Sequence, residues 1–75
     1  MTREEIISYI RDEMLSFPEI EVDTVYRVSE LALSDSFFFN IMNSWMETTE
    51  DSEKVALETI MRDASSDVLK YGTRL

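Results

Sequence analysis

The chain has 75 residues and carries sixteen acidic side chains against seven basic ones, a net charge of −9. A length of this order supports one domain (1–75) around one core, because folding buries only about 60% of the surface that so short an unfolded chain exposes. Cysteine and histidine are both absent, which excludes disulfides, thiolate or imidazole metal sites and the commonest general base.

The first helical signal opens at Thr2, followed three residues later by Glu5, a capping-box spacing. Ile6, Ile7, Ile10, Met14 and Phe17 then recur at helical intervals, and Pro18 disfavours helix at the residue before it. A helix over about 3–16 is expected. The next stretch is ambiguous, since Ile20, Val22, Thr24, Tyr26 and Val28 alternate as a strand would. No second strand pattern exists to pair with it inside the chain, so a strand at 19–28 requires pairing across a dimer. The preferred reading is a helix over 23–33, capped by Asp23 or Thr24, with Val25, Val28, Leu31 and Ala32 facing inward.

Ser34 or Asp35 supplies a cap for a third helix over 35–47. Its apolar residues, Phe37, Phe38, Phe39, Ile41, Met42, Trp45 and Met46, spread over roughly 200° of the circumference. Such a helix needs more than one neighbour to cover it. The fourth, over 51–71, sets Leu57, Ile60, Met61, Ala64, Val68 and Tyr71 on one stripe and places Glu58 and Arg62 for an (i, i+4) pair. Gly72 offers a left-handed end. The expected fold is therefore all-α, a small bundle of about four short helices.

Catalysis is not expected. Carboxylates are the acid–base groups that remain in quantity, and four short helices offer little of the concavity a paired-carboxylate hydrolase needs. The cluster Glu47, Glu50, Asp51, Glu53 lacks the glycine of a calcium loop, and the single glycine, Gly72, rules out a phosphate-binding loop. No cofactor or metal is expected. No apolar run approaches the roughly 20 residues that span a bilayer, and no leader pattern opens the chain, so a soluble, cytoplasmic protein without membrane partners is expected.

Leu15, Tyr26, Leu33, Val55 and Leu69 fall off the four apolar stripes. This surplus points to an interface, a homodimer or a partner protein, with Phe37, Phe38, Phe39, Met42, Trp45 and Met46 as the candidate anchors. The acidic residues Glu19, Glu21, Asp23, Glu47, Glu50, Asp51, Glu53, Asp63 and Asp67 form a candidate acidic surface. It repels nucleic acid and suits a basic partner, either by plain attraction or by imitating phosphates. A direct DNA reader built from the second and third helices is disfavoured, because the third has no Arg or Lys. The composite expectation is a non-catalytic regulator or inhibitor of a nucleic-acid-handling protein, of the kind bacteriophages and mobile elements encode against host enzymes. The alternative is a self-assembling structural protein.

Overall fold

Local chemistry sets the helix ends. In the computed structural model, which describes residues 1–74, α1 runs Arg3–Leu15, α2 Val22–Ala32, α3 Ser36–Glu47 and α4 Asp51–Tyr71. Among the described residues the chain is all-α, with these four helices and no strand. The Thr2 hydroxyl accepts from the Glu5 N–H at 3.2 Å, and the Glu5 carboxylate accepts from the Thr2 N–H at 3.0 Å. The Thr2 N–H and hydroxyl together hold the Glu5 carboxyl below the usual range, since both bind its charged form. Asp35 starts α3 by accepting from the Phe37 N–H at 2.9 Å. Gly72 ends α4 at φ +78°, a left-handed conformation that any L side chain resists.

One cap is corrected. Helix α2 begins at Val22 with Glu21 at the cap position, and no side chain caps it. Thr24 is inside the first turn and wholly buried beside Val25, so its hydroxyl is turned into the protein and finds no partner there. Packing has overridden the capping preference.

Three pins give the helix directions. Arg3 Nε donates to the Ala32 carbonyl at 2.9 Å, so α1 and α2 are antiparallel. Arg27 Nε donates to Ser65 Oγ at 2.9 Å, and Glu21 lies close enough to Glu58 to act on its charge, so α2 and α4 run the same way. Lys54 Nζ donates to the Trp45 carbonyl at 2.9 Å while Arg74 reaches Asp35, which makes α3 and α4 antiparallel. Helices α2 and α3 each pack against all the others, whereas α1 and α4 lie on opposite flanks and do not touch. The result is a flattened up-down-up-down arrangement of 32 × 28 × 17 Å.

The core draws Ile7, Ile10 and Met14 from α1, Val25, Val28 and Ala32 from α2, Phe38, Ile41, Met42 and Trp45 from α3, and Met61 from α4. Phe17 sets its ring edge against Trp45 at 5.8 Å. Helix α4 departs from its apolar pattern. Glu58, Met61 and Ser65 are its buried line, while Ile60 and Tyr71 are exposed. Leu57, Ala64 and Val68 of the expected stripe are still packed against the core, so the helix is turned by roughly 45° from that stripe, enough to carry its Ile60 and Tyr71 edge outward. The Arg27–Ser65 hydrogen bond and the Lys54–Trp45 contact fix that rotation.

Candidate functional site

The anchors expected on α3 are used inside the fold. Phe38, Met42 and Trp45 are buried, and Phe37, Phe39 and Met46 are half-buried against the core. The two aromatic margins are covered by cations of the same chain: the Arg74 guanidinium lies 4.3 Å from the Phe37 ring centre and that of Arg3 4.4 Å from Phe39. An exposed aromatic patch on α3 is therefore absent from the described residues. The cause is the central position of α3, which has neighbours on three sides.

Exposed apolar surface lies elsewhere. All five residues that fall off the sequence stripes, Leu15, Tyr26, Leu33, Val55 and Leu69, are exposed. Tyr26 and Leu33 line a groove of about 320 Å³ between α1 and α2, with Glu4, Ile7, Ser8, Arg11, Ser29 and Glu30. Leu15 and Val22, also exposed, stand one turn beyond Arg11 and Tyr26 on the same helix faces, outside the lining of the groove. A second groove of about 330 Å³ lies between α2 and α4, lined by Arg27, Glu30, Leu31, Ser65, Val68 and Leu69.

The acidic set is at the surface: Glu19, Glu21, Asp23, Glu47, Glu50, Asp51, Glu53 and Asp63 are exposed, and Asp67 is partly so. Because α1 and α3 end where α2 and α4 begin, the first seven of these share one pole of the molecule. Lys54 is the one cation in those two segments, so six of the nine excess negative charges gather there. That lysine is itself folded away, with Nζ 3.7 Å from the Trp45 ring centre. Asp63 and Asp67 lie apart, on the outer side of α4, near exposed Ile60 and Tyr71.

The cations are largely committed within the chain. Arg3, Arg27, Lys54 and Arg74 pin helix to helix or cover aromatic rings, and Arg62 pairs with Glu58 and Asp63. Among the described residues, two cations, Arg11 and Lys70, have no such role; Arg11 meets its neighbour Asp12 at 3.4 Å.

Sequence patterning gave no sign of one further group. Glu58 is buried at the start of the α2–α4 seam, with Oε1 lacking any partner and Oε2 4.0 Å from Arg62. Burial raises its pKa, Arg62 offsets this in part, and the carboxylates of Glu21 and Asp63 push it further up. Its (i, i+4) relation to Arg62 suggested an ordinary surface pair. The rotation of α4, which is a tertiary effect, carries it inward.

No group of three or more carboxylates among the described residues is arranged to hold a metal ion. No helix is long and apolar enough to cross a membrane. No protein-family model, curated protein or solved structure matches the chain.

Proposed function

We propose that this protein is a non-catalytic interaction module that binds a partner carrying a basic surface and so regulates or inhibits it. The observation that carries the reading is the segregation of charge. Six of the seven cations among the described residues are held in intramolecular contacts, while seven carboxylates crowd one pole. A partner that meets this pole therefore meets a surface more acidic than the average over the chain. Proteins that handle nucleic acid present the matching basic grooves, and a carboxylate-rich pole would compete there with phosphate.

Affinity capture with the intact protein, followed by elution between about 50 and 500 mM salt, tests this. Basic proteins released by salt, and displaced by added duplex DNA, are the expected result. Retention of nothing at low salt, or of acidic proteins indifferent to salt, would refute it. Self-assembly is the second reading, favoured by the exposed Ile60, Leu69 and Tyr71 on α4. A sedimentation mass of one chain at micromolar concentration argues against it.

A further inference from the structure

We propose that the groove between α1 and α2 is the docking site for one basic amphipathic helix of the partner, an inference that rests on the reading of the protein as a binder of basic proteins. The groove combines shape, apolar anchors and charge in one place. Val22, Tyr26 and Leu33 are 55%, 53% and 42% exposed. They sit at 22, 26 and 33 on one side of α2, a ridge about 16 Å long at 1.5 Å per residue. Helix α1 forms the facing wall, with Ile7 and Ser29 deeper between the two. A three-turn helix laid along this cleft would place its own i, i+4 and i+7 apolar residues against that ridge.

Charge decides what kind of helix. Glu4 and Glu30 stand in the walls of the cleft, and the end marked by Val22 opens onto Glu19, Glu21 and Asp23 at the acidic pole. Arg11 is the one cation lining the cleft, and Asp12 partly neutralises it. A second copy of this chain would bring its own net charge of −9 against the same carboxylates, whereas a lysine- or arginine-rich helix would neutralise them. The α2–α4 groove is a poorer seat for a cationic ligand, because in its wall Arg27 offsets the single carboxylate Glu30, whereas Glu4 and Glu30 outnumber Arg11 in the first.

The test is a titration of isotope-labelled protein, followed by amide NMR at low salt, with a designed leucine–lysine amphipathic peptide. A companion peptide with glutamate in place of lysine is the control. Shifts should concentrate at Ser8, Arg11, Tyr26, Ser29 and Leu33. The double variant Tyr26→Ala with Leu33→Ala, both at exposed positions, should keep its helical spectrum and bind about tenfold more weakly. Binding that maps to the acidic pole or to α4, or that the double variant leaves unchanged, overturns the groove while leaving recognition of basic partners standing. Absence of binding at low salt overturns both. Equal binding of the glutamate peptide removes the charge argument. A concentration-dependent dimer that shifts the same residues makes the occupant a second copy and overturns the proposal.

Discussion

Replacing Glu58 should stabilise this protein at neutral pH, and the gain should fade in acid. The carboxylate is buried, one oxygen has no partner, and the other is at the 4.0 Å limit of an ion pair with Arg62, whose side chain is 40% exposed. A buried polar group left unsatisfied costs about 1 to 3 kcal/mol, more when charged. A part-exposed (i, i+4) pair returns only about 0.3 to 0.5 kcal/mol. The penalty wins. Glu58→Met removes both the charge and the orphan oxygen, and Glu58→Gln removes the charge alone. At pH 7 the stability order should be wild type, then Gln, then Met, with the Met variant ahead by about 1 to 2 kcal/mol. That corresponds to a melting temperature higher by about 4 °C or more in a domain of this size.

The pH dependence follows from the direction of the shift. Burial raises the folded-state pKa of Glu58 above its unfolded value, so the folded chain holds the proton more tightly. Stability is therefore free of this penalty below the ordinary carboxylate range and is lost as pH rises through the raised value. The gap between Glu58→Gln and wild type should open as pH climbs from about 4 to 8. Carboxylates that do not interact with Glu58 are common to both proteins and cancel in that difference. Thermal melts by circular dichroism at several pH values are the assay. A Met variant less stable than wild type at pH 7, or a Gln gap equal at both ends of the range, would refute the reasoning.

Phe38→Ala should cost about 3 to 5 kcal/mol, because the ring, in the first turn of α3, is wholly buried in the core. Total stability for a chain this size is of order 4 to 11 kcal/mol, so urea denaturation should find the variant's midpoint well below that of wild type, and at zero denaturant if wild type lies at the low end of that range; a loss under 1 kcal/mol would contradict the core assignment. Lys54→Met should cost about 1 to 2 kcal/mol through the lost charge-assisted hydrogen bond to the Trp45 carbonyl and the lost contact with its ring. Tryptophan fluorescence during urea unfolding measures it, and an unchanged midpoint would show that the lysine is a surface ornament.

Apart from the start of α2, helix ends were legible because they depend on neighbours in sequence: the Thr2–Glu5 pairing, Pro18, Asp35 and Gly72 each act within a turn of themselves. Local signals also showed a surplus of apolar residues, and the five that fall off the stripes are all exposed. The location of the sticky surface was not legible. Three phenylalanines in a row serve equally as core or as interface anchors while the position of α3 between three neighbours, and the reach of Arg3 and Arg74 across about thirty residues or more, are unknown. Likewise the burial of Thr24, Glu58 and Ser65 follows from how α4 is rolled against α2. No periodicity within one helix encodes that roll.

The crowding of carboxylates at one pole has a kinetic side. Toward the other end, Arg3, Lys70 and Arg74 soften the remaining negative charge, which makes the molecule electrically lopsided. Within about a Debye length, roughly 8 Å at physiological ionic strength, a positively charged target exerts a torque as well as a pull on such a particle. Rotational alignment would then precede collision, so that the end where α2 and α4 begin arrives foremost and fewer encounters are spent on unproductive approaches.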